Sequence, residues 1–109
     1  MSSADAIIHA GVCGFVTKVR AASTEDFRVR LELETPCSNI RAFAEALPKE
    51  VDALHEVRSG WDGVILSTAR RSPKGCCSAC AVPIGVFKVM QVAGGLALPR
   101  DVAIEITKD

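Results

Sequence analysis

The sequence has no excess of charge of either sign: 13 Lys and Arg stand against 13 Asp and Glu in 109 residues. That excludes a strongly basic nucleic-acid binder and an acidic solvating tail. Aromatic residues are scarce at 5% of the chain, too few to build the stacking platforms that hold single strands. No nucleic-acid partner is expected. No apolar run reaches the roughly 18 residues of a membrane span, so no membrane partner is expected either. The first residues, Met1 to Asp5, carry no basic cluster, and no apolar core of a signal peptide follows them. The expected location is the cytoplasm. The chain also lacks repeats, low-complexity stretches and linkers. It has no P-loop pattern, no carboxylate-rich motif for Mg²⁺ or Ca²⁺, and no Ser/His/Asp set whose spacing argues for itself.

What remains is a chain with 49% hydrophobic and 24% charged residues, enough apolar content for one real core. Residues 1–109 read as a single domain. Five cysteines stand out: Cys13, Cys37, Cys76, Cys77 and Cys80. Reducing conditions keep disulfides rare, and an odd count leaves one thiol over in any closed framework. Metal binding, redox chemistry and plain burial are the options.

Strict alternation in Phe27-Arg28-Val29-Arg30-Leu31-Glu32-Leu33-Glu34 predicts a strand with one buried and one wet face. Its charges read as a solvated sheet face with cross-strand ion pairs. Val12 to Arg20 predicts a partner strand, with Ala21 to Glu25 as the connecting loop. Matching apolar faces puts Val19 opposite Phe27, Thr17 opposite Val29, Phe15 opposite Leu31 and Cys13 opposite Leu33. In that register Cys13 points to the core. Ile7 and Ile8 extend the first strand past a bend at Gly11.

Pro36 ends the second strand, and Ser38 or Asn39 can cap a helix bearing Ile40, Phe43, Ala44 and Leu47. Pro48 breaks it. Val51, Leu54 and Val57 mark a second short helix ending near Ser59-Gly60. The apolar run Val64 to Ala69 predicts a buried central strand. Arg70 to Cys80 is loop-like. Pro83 fits the first turn of an apolar helix that stops at Gly94-Gly95. So apolar a helix is either sandwiched in the core or shared with a second subunit, and residues 84–93 are a candidate homodimer surface. Alternation from Asp101 to Thr107 predicts a last strand. The fold class is α+β: a four-stranded mixed sheet in the order strand-strand-helix-helix-strand-helix-strand, with helices on one face.

In that topology Cys37 follows the second strand and the Cys76–Cys80 group follows the third. A crossover through helices makes those strands parallel and brings both groups to one sheet end, where the first strand begins at Cys13. Two of the groups precede helix N-termini, which favour thiolate. Arg70, Arg71 and Lys74 add positive charge beside the cluster; they also fit an ordinary solvated loop or an anion site.

The leading reading is a cysteine-ligated metal site, an iron–sulfur cluster ahead of Zn²⁺, serving electron transfer or sensing. Cys77 and Cys80 form a CxxC pair whose sulfurs can reach one centre. Cys13 and Cys37 complete four ligands, and Cys76 can replace Cys77. The second reading is a thiol redox protein with Cys77 attacking and Cys80 resolving. The third is a non-catalytic interaction module with buried cysteines. Enzymatic activity is left open. His9 is an outside candidate as metal ligand or base. His55 reads as a surface residue, Asp52 and Glu56 as ordinary helix neighbours, and Trp61 as a packing anchor.

The segments Gly11-Val12-Cys13-Gly14, Pro36-Cys37-Ser38-Asn39-Ile40-Arg41 and Gly75-Cys76-Cys77-Ser78-Ala79-Cys80-Ala81-Val82-Pro83 carry a resemblance that runs on into Gly85-Val86-Phe87-Lys88. Through them the chain resembles a family of short uncharacterised cysteine-containing proteins, chiefly of anaerobic bacteria and archaea. The resemblance covers most of the chain and implies no activity. The anaerobic setting it implies favours an iron–sulfur cluster.

Overall fold

Alternating side chains become an antiparallel sheet. In the computed structural model, which describes residues 2–71 and 77–109, four strands pair in chain order. They are Ser3–His9 (β1), Val16–Ser23 (β2), Arg28–Glu34 (β3) and Glu50–Asp52 (β4). Every pairing is antiparallel. The helices are Ser38–Ala46 (α1), Ala53–Ser59 (α2), Val64–Arg71 (α3) and Val82–Ala93 (α4), with a 3-10 turn at Gly60–Asp62 between α2 and α3. The class is α+β, as the periodicities require.

One face of the sheet is buried. Ile8, Thr17, Val19, Ala21, Val29, Leu31 and Val51 all lie inside. α4 lies across β1 and β2, α1 packs on β3, and α3 lies against both helices. The helix approaches β1 very closely: a Cβ on Gly85 would clash with Ile8 Cδ1. Burial of Val82, Val86, Val89, Met90 and Ala93 in this layer accounts for much of the apolar character of α4. The opposite face is charged and wet. Arg20 stands across from Glu32, Lys18 from Glu34, and Arg30 from Glu50. Arg20 also holds Asp5 on β1 at 3.0 Å. The ion pairs are exposed, so they set register more than stability.

Several expectations are corrected. The sheet is antiparallel throughout, not mixed. Ile7 and Ile8 belong to a separate strand, joined to β2 by a turn at residues 10–15. The β2–β3 register is displaced: Val19 faces Leu33 and Ala21 faces Leu31. The displacement is even, so Thr17, Val19, Val29 and Leu31 stay on the buried face, whereas Phe15 and Phe27 lie outside the paired residues and are exposed. Ala21 and Ala22 are strand residues, and the small side chain of fully buried Ala21 lies on the face that α4 covers. Val51 lies in β4, and Asp52 caps α2 by accepting from the His55 N–H at 3.0 Å.

The largest correction concerns Val64 to Ala69, which is the helix α3 and not a central strand. Its start is held from a distance. The buried Glu56 carboxylate accepts the backbone N–H of Val64 at 3.1 Å and of Ile65 at 2.9 Å. Those are two of the donors that an α-helix leaves unpaired at its N-terminus. Gly63 permits this approach, since a Cβ there would sit 2.9 Å from Glu56 Oε1. The expected last strand is not paired either: Asp101 to Thr107 has no regular secondary structure and is exposed throughout.

Candidate thiol-lined site

Three chain segments meet at one end of the sheet. The β1–β2 turn supplies Cys13, the β3–α1 junction supplies Cys37, and the approach to α4 supplies Cys77 and Cys80. All four line one cavity of about 370 Å³, with Ala10, Phe15, Thr17, Pro36, Ser38, Asn39, Ile40, Arg41 and Val82 completing its wall. Cys76 and Lys74 lie outside the described residues. The route to this arrangement differs from the expected parallel crossover. An antiparallel hairpin returns its turn to the end where β3 stops, and α4 starts above that same end, with Gly85 over Ile8.

Each cysteine is positioned by local chemistry. Gly11 and Gly14 take φ of +97° and +74°, and the Gly14 N–H donates to the Gly11 carbonyl at 2.9 Å. The tight turn lifts Cys13 to its corner, where the residue is exposed; it does not point into the core as the expected register required. Cys37 is half-buried at the N-cap of α1. Its N–H donates to Thr35 Oγ1 at 3.2 Å, and the hydroxyl of buried Thr17 donates to the same oxygen at 2.8 Å. The N-cap is thereby tied to the start of β2. Its carbonyl accepts from the Arg41 N–H at 2.9 Å, which closes the first turn of the helix.

Cys77 and Cys80 bracket a tight turn, in which the Cys80 N–H donates to the Cys77 carbonyl at 3.1 Å. Both are half-buried. Asn39, in the first turn of α1, donates through Nδ2 to Cys77 Sγ at 3.7 Å. Arg41 is the one charged side chain in the cavity wall among the described residues, and its guanidinium donates to the Pro36 carbonyl at 3.1 Å. Cys13, Cys37 and Cys80 form no disulfide. Among the described residues, no three Cys, His, Asp or Glu side chains stand close enough together to hold a metal ion.

Sequence reasoning passed over Asn39 and Arg41 as site residues. Asn39 had a sufficient explanation as a helix cap, and its sulfur partner is remote in sequence. Arg70 pairs with Asp62 at 3.8 Å, and Arg71 donates to Thr68 Oγ1 at 3.5 Å. His55 Nε2 is 3.4 Å from Ser59 Oγ on the surface of α2. His9 is exposed at the end of β1 and is not part of the cavity wall. No helix among the described residues is long and apolar enough to cross a membrane.

A family model described as a family of unknown function (DUF6951) matches residues 4–106. No curated protein and no solved structure matches the chain.

Proposed function

The chain belongs to that family of unknown function, and we propose that its thiol-lined cavity takes a metal centre, an iron–sulfur cluster ahead of zinc. One observation carries this reading: Cys13, Cys37, Cys77 and Cys80 come from three separate segments and line the same cavity. Thiolates are the ligands both centres need. The wall also carries the Arg41 cation, and Cys37 stands at the N-cap of α1. No carboxylate in the described wall opposes the thiolates.

The spacing of the ligands favours the cluster. A single zinc with Zn–S bonds of about 2.3 Å needs its sulfurs drawn to within roughly 3.8 Å of one another. Among the described residues no three potential ligands stand that close, and a polynuclear centre with its own sulfides bridges wider spacings more readily than one ion does. Cys13 rides on a glycine-bracketed turn, so its approach is the adjustable part. In this reading the centre accepts and releases single electrons, either in transfer or as a sensor.

The test is metal uptake. Protein purified without oxygen and supplied with ferrous iron and sulfide is expected to be brown, with iron and acid-labile sulfide in stoichiometric amount. Replacing Cys77 and Cys80 together by serine is expected to abolish both. Colourless protein with one zinc per chain would move the assignment to zinc. Folded protein that takes up neither metal would overturn it.

One further observation favours a second reading, a thiol redox protein. Asn39 Nδ2 donates to Cys77 Sγ, and Cys80 follows across a closed turn. In this chemistry the Cys77 thiolate attacks one sulfur of a substrate disulfide and expels the other as a thiolate. The Cys80 thiolate then attacks Cys77 Sγ in the mixed disulfide. The substrate leaves as a dithiol after taking up two protons, and its two electrons come from the Cys77 and Cys80 thiolates, which are oxidised to a disulfide. Reversible loss of two titratable thiols from metal-free protein would support this reading.

A further inference from the structure

The segment that follows α4 has the pattern of a strand and no partner. Val102, Ile104 and Ile106 alternate with polar or small residues, and they are 56%, 75% and 86% exposed. Neither Gly nor Pro interrupts residues 101–107. Among the described residues, no backbone hydrogen bond involves residues 97–109. Seven residues with three bare β-branched side chains are an unstable element in water, because nothing offsets the ordering of the chain or hides the apolar face.

The same molecule carries a matching vacancy. β1 is the edge of the sheet and also has seven residues, Ser3–His9. Open edges are normally blunted by Lys, Pro or a bulge. β1 has none of these, and its one acidic residue, Asp5, is already held by Arg20 at 3.0 Å. Its inner face is incompletely covered: Ala4 and Ala6 are only half-buried, whereas Ala21 on the neighbouring strand is fully buried. A further strand beside β1, with Val102, Ile104 and Ile106 turned inward, would continue the apolar face beneath α4.

The chain leaves α4 beside the start of β1, since Ser2 Oγ donates to the Ala93 carbonyl at 2.8 Å. From there it does not return to its own sheet. The molecule measures 47 Å along its length and only 26 × 25 Å across, the proportions of a body with a projecting segment. We propose that Asp101 to Thr107 docks as an added strand on the β1 edge of a second copy of this chain, and that the two copies exchange these segments. This surface is distinct from the 84–93 helix face.

Sedimentation velocity on the full chain tests the proposal. A dimer is expected, and Ile104→Asp and Ile104→Pro are each expected to raise its dissociation constant by about tenfold to a hundredfold. Ile104 is exposed within one copy, so far-UV circular dichroism of the dissociated variants should match the body of the parent. Hydrogen exchange should show the amides of residues 3–9 and 101–107 protected in the parent and released together in the variants. A monomeric parent at tens of micromolar would overturn the proposal. So would a dimer unaffected by either variant, or protection of residues 101–107 that persists in a monomer.

Discussion

Replacing Glu56 by alanine is expected to destabilise the protein more than an acidic helix residue usually would. The side chain is 2% exposed, and its two oxygens accept the first N–H groups of α3 at 3.1 and 2.9 Å. Loss of the carboxylate leaves both donors without a partner. A buried orphan donor costs about 1–3 kcal/mol. Val64 is half-buried, so water can partly replace its acceptor, and the low end applies there. Ile65 is fully buried, and the upper half applies. The sum is roughly 3–4 kcal/mol, a large fraction of the ~5–15 kcal/mol that holds a domain together. Glu56→Gln keeps one acceptor oxygen but turns an amide toward the other N–H, so about 1–3 kcal/mol is expected. Gly63→Ala should damage the same contact from the other side, because its Cβ would lie 2.9 Å from Glu56 Oε1. The two changes should therefore combine to less than their sum. Urea denaturation followed by far-UV circular dichroism reads all four proteins, with the midpoint moving and the slope constant. A Glu56→Ala shift below about 0.5 kcal/mol, the range of ordinary surface substitutions, would refute the reasoning.

Gly85→Ala should lower stability by roughly 1 kcal/mol, since overpacking by about 1–3 kcal/mol against Ile8 outweighs a helix-propensity gain of about 1 kcal/mol. Thermal denaturation checks this, and in an Ile8→Ala background the same change should become neutral or stabilising. Thr35→Val should cost roughly 1–3 kcal/mol in urea denaturation, because the Cys37 N–H and the Thr17 hydroxyl lose one shared acceptor. Thr35→Ser, which keeps the acceptor, should cost less.

The strongest local patterns were legible without the structure. The 27–34 alternation, the helix after Pro36, and Pro83 with Gly94 bounding α4 are all chemistry of neighbouring residues. Period and breaker act within one or two turns, so the sequence alone carries them; the expected cap at Ser38 or Asn39 does not form, since α1 starts from Cys37 with no side-chain cap. The even displacement of the β2–β3 register shows the limit: alternation decides which face a side chain takes, whereas the helix layer and the turn at residues 24–27 decide its cross-strand partner. α3 shows it more sharply. Val64 to Ala69 reads as a strand by propensity, but a carboxylate on α2 satisfies its first two donors and the run becomes helical. For the site, the sequence determined that five thiols exist and that Cys37 and Cys80 precede helices. Only the tertiary structure decided that Cys13, Cys37, Cys77 and Cys80 share a cavity with Asn39 and Arg41. Convergence of remote segments depends on which way each strand runs, and local side-chain preferences do not encode that direction.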